Sequence, residues 1–498
     1  MSENQQSYRQ IIKATSLFGG VQVFQIIIQV IRSKAIAVLL GPAGMGIAGL
    51  LNSTVGLISG ITNFGLGTSA VKDISAAHAT GNNDMIARVI TVLRRLVWIT
   101  GLLGSLVTLI LSKLLSKITF GNYDYTLAFI WIAITLLFNQ LTTGQLALLQ
   151  GMRKLRHLAR ANVTGSALGL IFTLPLYYFW GIDGIVPGII VASIISLMSS
   201  WFYSRKVEII NVKVTRKETC LLGKNMMTMG FFISLSGLAS LGASYLVRIF
   251  IRSFGSIDQV GLYNAGFTII TTYVGLVLTA MGTDYFPRLS AIAHSNSLCK
   301  QTINQQAEIV LLILAPIILV FLVFIRWVVI LLYSTKFVAV NDMITWAALG
   351  MFFKAISWCI AFILLAKSAS KLFFWTELLG NVNMLLLNLL GYYLWGLTGL
   401  GISYLTGFLV YMLMVYFISK KKFEFAFDPV FRKIFVIQFA LVLSCFIVVK
   451  LFDKAFYYPI GIILIAISLN YSYKELDKRI ALRETITDIC RNIRKREK

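Results

Sequence analysis

Acidic residues are scarce in this chain. Asp and Glu number 20 against 45 Lys and Arg, and the four types together make up only 13% of 498 residues. A soluble domain carries roughly 25% charged residues, so an ordinary globular surface is excluded. Histidine is rarer still, and His78, His157 and His294 are too scattered to form a metal set. The five cysteines, Cys220, Cys299, Cys359, Cys445 and Cys490, suggest no disulfide framework. No GxxxxGK[ST] segment occurs, which excludes the phosphate loop of an ATP-driven pump. No soluble domain of any size and no acidic catalytic set is present, so no enzyme, cofactor or metal is expected. The stretch from Met1 to Lys13 is polar and leads straight into a long apolar run, unlike a secretory signal.

What fills the chain is apolar sequence, 57% of it. A membrane span needs ~20 mostly apolar residues. Fourteen such runs lie near 14–40, 46–72, 88–112, 124–149, 157–180, 183–203, 222–252, 261–285, 304–333, 340–366, 371–394, 399–419, 432–450 and 455–472. The expected fold is an all-α polytopic membrane protein with about 14 (12 to 14) transmembrane helices. The net charge of +25 calls for no nucleic acid, because its basic residues cluster in alternate loops. Arg153, Lys154, Arg156 and Arg160 follow span four; Arg205, Lys206, Lys213, Arg216, Lys217 and Lys224 follow span six. Lys420, Lys421, Lys422, Arg432 and Lys433 follow span twelve, and a basic tail closes the chain. Basic loops face the cytoplasm, so both termini are expected there.

The chain also repeats itself. Tyr177-Tyr178-Phe179-Trp180-Gly181-Ile182-Asp183-Gly184 returns 215 residues later as Tyr392-Tyr393-Leu394-Trp395-Gly396-Leu397-Thr398-Gly399. At the same offset Gly46, Gly60, Gly67, Thr68, Ser75 and Ala76 fall on Gly261, Gly275, Gly282, Thr283, Ser290 and Ala291. Two distant blocks sharing one offset indicate an internal duplication. Six spans precede the second copy, so both copies enter the membrane from the same side, as parallel repeats with a transport path between them. The expected division is a six-helix lobe over 1–205, a second over 218–420, an appended helix pair over 432–472 and a basic cytoplasmic tail over 473–498.

Ionisable residues inside spans are costly and usually face a cavity or a partner. Span one carries Arg32 and Lys34, span seven carries Arg248 and Arg252 at i, i+4, and span ten carries Lys354 midway along its length. The bland alternative is that the first four snorkel toward headgroups; for Lys354 that is harder. Acids able to neutralise them are few: Asp73 at the edge of span two, Asp284 ending span eight and Glu377 in span eleven. A cavity left positive suits an anion, and Arg suits phosphate through its bidentate fork. Asn139 and Gln140 in span four, and Tyr263 and Asn264 in span eight, could line a path for sugar hydroxyls or join helices to one another. Trp180 and Trp395 each end a span, as interfacial anchors do.

Several segments in order then resemble one family. Gly41-Pro42-Ala43-Gly44-Met45-Gly46 after a basic first span is similar to the Wzx-type polysaccharide translocases of the multidrug/oligosaccharidyl-lipid/polysaccharide exporter superfamily. Within them the likeness is greatest to the O-antigen and enterobacterial common antigen (lipid III) flippases. Phe120-Gly121-Asn122-Tyr123-Asp124-Tyr125, Ser334-Thr335-Lys336-Phe337, the Lys354 segment and Ala366-Lys367-Ser368-Ala369-Ser370 add to it, and together they cover about 10–420. The resemblance implies two six-helix lobes around a cavity of alternating access. It implies transfer of undecaprenyl-pyrophosphate-linked glycan from the cytoplasmic to the periplasmic leaflet of a bacterial inner membrane. Lys34 and Lys354 match basic residues of lipid III flippases, Arg32 occupies a position basic in related lipid II flippases, and Arg248 fits with a one-residue gap; Arg252 has no match. The resemblance also implies membrane lipids, an O-antigen polymerase and a chain-length regulator as partners. Two rivals remain: a cation-coupled multidrug exporter, which should carry carboxylates buried in spans one to six, and a membrane glycosyltransferase or O-antigen polymerase, which needs large outer loops.

Overall fold

The computed structural model describes residues 24–480 except 211, 276, 279–280, 282–284, 286–287, 290–291 and 368. The described residues are helical almost throughout and contain no strand. In a membrane this is dictated by the backbone, whose N–H and C=O groups find no water in hydrocarbon and must bond within the segment. Nine stretches among the described residues are long and apolar enough to cross a membrane. The helices are α1 (24–39), α2 (Gly41–Thr62), α3 (Leu66–Ala79), α4 (Asn83–Phe120), α5 (Thr126–Gly151), α6 (Leu155–Trp180), α7 (Ile185–Ser204), α8 (Arg216–Phe254) and α9 (Ile257–Thr268). They continue as α10 (Asn296–Leu332), α11 (Asn341–Ala366), α12 (Ser370–Phe423), α13 (Pro429–Leu451) and α14 (Lys454–Ile480).

Local chemistry explains where the helices stop. The side chain of Asn82 accepts from the amides of Asp84 and Met85, capping α4, and Gly121 ends that helix with φ +81°. Thr215 and Glu218 form a reciprocal capping box at the start of α8. The helix expected over 46–72 instead breaks after Thr62. Asn63 Oδ1 accepts from the Gly65 amide at 2.8 Å, and Phe64 and Gly65 both take positive φ. A short amide side chain that bonds its own backbone competes with the helix ladder.

Two of the nine stretches, Leu155–Ser204 and Lys371–Phe423, double back as antiparallel hairpins. In the first, Gly165 lies against Ser196 and Ser199, and Gly188 against Tyr177. In the second, Gly380 lies against Tyr411 and Gly407 against Met384. Both bends fall in the repeated octapeptide and share one conformation. Gly181 has φ 55° and ψ −130°, and Gly396 has φ 58° and ψ −139°, a region costly for any residue with a Cβ. Trp180 and Trp395 precede these glycines and are both exposed.

By its internal contacts the chain divides into two compact units, Met1–Gly261 with Leu332–Ser334, and Leu262–Leu331 with Thr335–Lys498. In the first unit small residues let α4 and α5 approach. Gly101 faces Leu137, Gly144 faces Val97, and Ser105 Oγ donates to the Ala133 carbonyl at 2.8 Å. Ile74, Ile90, Leu93 and Leu149 fill its core. α8 packs with this unit: Thr119 on α4 is bonded to Thr54 on α2 at 3.3 Å and to Tyr245 on α8 at 2.7 Å. In the second unit α11 lies along the second arm of α12, with Gly350 against Tyr404 and Leu405. α13 and α14 are not loose additions. Gln438 of α13 bonds Ser468 and Ser472 of α14 at 2.7 and 2.9 Å. Arg479 pairs with Glu308 of α10 at 2.8 Å, and Lys450 of α13 pairs with Asp342 of α11 at 2.5 Å.

Candidate functional site

Lys354 lies one turn past the close contact at Gly350, on a helix whose other faces are packed with apolar residues. Its Nζ donates to Tyr404 Oη at 3.2 Å and stands 5.3 Å from the ring centroid of Phe408 and 5.8 Å from that of Tyr404. Tyr404 Oη contacts Met351 Sδ at 3.1 Å. An ammonium over aromatic faces is attracted by their quadrupoles, the more so when desolvated. No carboxylate among the described residues pairs with Lys354.

This lysine forms part of the wall of a cavity of about 340 Å³ in the second unit, with Ser357, Glu377, Asn381, Phe408 and Tyr411 around it. Tyr411 Oη donates to Glu377 Oε1, and Asn381 Nδ2 donates to the Glu377 carbonyl at 2.9 Å. Glu377 therefore takes its bond from a phenol rather than from the lysine. The cavity sets a cation, a hydrogen-bonded carboxylate, an amide and aromatic faces within apolar walls. Such a surface can hold an anion at one end and hydroxyl groups at the other. Tyr263 of α9 extends the aromatic wall: its ring lies 5.4 Å from Phe267, which stands 6.5 Å from Tyr404. Asn264, next to it, is buried.

The cations expected from spans one and seven lie in the first unit. Arg32 and Lys34 are half-buried on α1, and Arg32 rests against Gly169 of α6 with its Nε buried and without a hydrogen-bond partner among the described residues. Arg248 bonds the carbonyl of Ser244 at 2.9 Å and its hydroxyl. Arg252 is committed differently: Nε and Nη2 donate to the carbonyls of Thr119 and Ile118 at 3.0 and 2.8 Å, where α4 ends. Gln140 donates to Thr100 Oγ1 at 2.8 Å and joins α5 to α4, whereas Asn139 beside it is exposed. Asp73 is half-buried on α3, and Asp284 lies outside the described residues. The structure thus brings Lys354, Glu377 and the aromatic wall together in one unit and keeps Arg32, Lys34, Arg248 and Arg252 in the other. The cage of Tyr404, Phe408 and Tyr411 was not singled out from the sequence. Its signal was there in the i, i+4, i+7 spacing of one helical face.

The fold is that of a multi-pass helical membrane protein. Among solved structures the chain is similar to the lipid II flippase MurJ in an inward closed conformation, with TM-score 0.67, 13% identity, and coverage of 93% of this chain and 99% of that one. It is similar to an inward-facing multidrug resistance MATE family transporter of the MOP superfamily as well, with TM-score 0.66, 13% identity, and coverage of 83% and 96%. The chain belongs to the family described as polysaccharide biosynthesis protein, whose model matches residues 11–293. Among curated relatives it is 21% identical over 349 residues to the lipid III flippase of Escherichia coli (strain K12), covering 69% of this chain and 82% of that protein. It is 26% identical over 294 residues to a provisionally named O-antigen transporter of Shigella flexneri, covering 57% and 68%.

Proposed function

We propose that this protein is a flippase that carries undecaprenyl-pyrophosphate-linked oligosaccharide, an O-antigen-type repeat unit, from the cytoplasmic to the periplasmic leaflet of a bacterial inner membrane. Membership of the polysaccharide biosynthesis family and likeness to a lipid III flippase support the substrate class. The observation that carries the reading is Lys354, a cation held by aromatic rings, turned to a cavity and free of any carboxylate partner among the described residues. Its ammonium binds pyrophosphate, and polar groups such as Asn381 take glycan hydroxyls; Arg32, Lys34 and Arg248 are the other cations proposed to meet substrate phosphate. The polyprenyl chain stays in lipid. Access alternates as the two lobes of the repeat rock, both termini face the cytoplasm, and the polymerase and chain-length regulator receive the product.

The test is a strain set scored for surface polysaccharide. Lys354→Ala loses export while the protein remains inserted and folded, and Lys354→Arg keeps part of it, because charge survives and ammonium geometry does not. Recovery in Lys354→Ala/Glu377→Ala would instead make the lysine a neutraliser of Glu377. Wild-type polysaccharide in Lys354→Ala would refute the reading.

A further inference from the structure

A second cavity, of about 590 Å³, lies in the first unit between α4, α5 and α7. Its floor and walls are leucines, Leu137, Leu141 and Leu197 among them, and its rim carries two arginines, Arg94 and Arg205. Neighbouring arginines on α4 are already used. Arg88 pairs with Glu218 at 2.6 Å, and Arg95 donates to Thr219 Oγ1 at 2.7 Å, both at the start of α8. Arg94 points elsewhere, and among the described residues it has no hydrogen bond or ion pair. The Arg205 guanidinium stacks 4.3 Å from the Trp201 ring centroid and has no anionic partner there either. Gln145, also in the wall, accepts at Oε1 from Ser200 Oγ at 2.5 Å.

The depth of this site is set by sequence. Between Arg95 and Lys113, α4 is uncharged from Leu96 to Ser112, a run that rises ~25 Å at 1.5 Å per residue, close to the hydrocarbon thickness. α7 is uncharged from Ile185 to Ser204, and Arg205 follows it. Arg94 and Arg205 therefore stand at one hydrocarbon boundary, with Trp98 and Trp201 beside them as an aromatic belt. Trp98, Met198 and Trp201 are exposed, so the cavity opens sideways between the helices. The basic segment after Arg205 marks this end as cytoplasmic in the topology proposed above.

We infer that this cavity binds an anionic glycerophospholipid of the cytoplasmic leaflet, its phosphate held between Arg94 and Arg205 and one acyl chain laid along Leu137, Leu141 and Leu197. Arg94 and Arg205 have no counter-ion among the described residues, and the headgroup layer supplies phosphates at that depth. Guanidinium forks match phosphate oxygens bidentately, and basic hollows between spanning helices on the cytoplasmic side recognise anionic headgroups. The site belongs to the first unit and Lys354 to the second, and it does not depend on the glycan being the substrate.

Native mass spectrometry of the delipidated full-length protein, titrated with phosphatidylglycerol or phosphatidylcholine of identical chains, tests it. Wild type retains phosphatidylglycerol roughly tenfold more tightly, and R94Q/R205Q loses that preference. R94K/R205K keeps part of it, and R156Q/R160Q, basic on the same side but outside the cavity, keeps all of it. Should the double variant unfold, R205Q alone, at an exposed helix end, gives the same reading at half strength. Equal preference in wild type and R94Q/R205Q overturns the proposal. So does displacement by sn-glycerol 3-phosphate, which would mean that a headgroup suffices. Equal competition by undecaprenyl pyrophosphate overturns it too, by making the cavity part of the substrate path.

Discussion

At the scale of single residues, intramembrane cations have separated into different kinds of work. Lys354 is left facing a cavity, whereas Arg252 satisfies carbonyls at a helix end. The last carbonyls of a helix lack intrahelical partners and carry partial negative charge, so a cation there is stabilising. Arg252→Gln should therefore lower stability by about 1.5–3 kcal/mol, the range for hydrogen bonds involving a charged group. It should leave polysaccharide output per folded molecule near wild type. Thermal unfolding in detergent, set beside output normalised to inserted protein, separates this from a substrate-binding role. A stable Arg252→Gln protein with no export would restore Arg252 to the substrate site.

At the scale of elements, the two hairpin bends are the most exacting parts of the chain. A Cβ at position 184 would strike the Leu176 carbonyl oxygen, and one at 399, offset by the repeat, the Gly391 carbonyl oxygen. Gly181→Ala and Gly396→Ala should each cost about 1–3 kcal/mol, since both need a sparsely populated backbone region. Unchanged unfolding temperatures for both would contradict that conformation. The start of α8 offers a pH test. Bonds from the Thr215 amide and hydroxyl, with Arg88 nearby, hold the Glu218 carboxyl below its ordinary value. A depressed carboxyl stabilises above the ordinary Glu value of about 4.3 and loses that contribution as pH falls through the lowered value. Protection of the amides over residues 216–219, taken relative to intrinsic exchange at each pH, should fall below about pH 4 in wild type and show no such step in Glu218→Gln.

At the scale of the whole molecule, direction and energy are the questions. With the basic loops inside, reporters placed in the 205–221 segment and at the C-terminus should both read as cytoplasmic. A periplasmic signal at either site would sink the parallel-repeat topology. No phosphate-binding loop occurs in the sequence. Purified protein should accordingly show ATPase activity no higher than background, and collapsing ion gradients in vesicles should slow flipping. Undiminished flipping without any gradient would leave facilitated transfer, drawn by consumption of the product. The shared bend of Gly181 and Gly396 fits a duplicated design. Another reciprocal contact fits it too: a Cβ at Gly46 would strike the Ile257 carbonyl, and one at Gly261 the Pro42 carbonyl.

The sequence by itself determined the class. Long apolar runs in lipid leave the backbone little choice but helix, and charge placement along the chain supplies the orientation that the reporters test. The repeated octapeptide marked a duplication, and the structure places a bend of like conformation in each copy, at backbone angles costly for any residue with a Cβ. Lys354 stood out because an ammonium flanked by apolar turns is expensive wherever the helix lies. What faces what was decided only by tertiary packing. Nothing in the spacing said that Arg252 would reach the end of α4, that Gln140 would spend its amide on Thr100, or that Glu377 would bond Tyr411 rather than Lys354. Arg94 and Arg95 are adjacent in sequence, yet Arg95 serves α8 and Arg94 lines the hollow between α4, α5 and α7. Successive residues on a helix point about 100° apart, and which neighbour each one meets is fixed by how the helices pack.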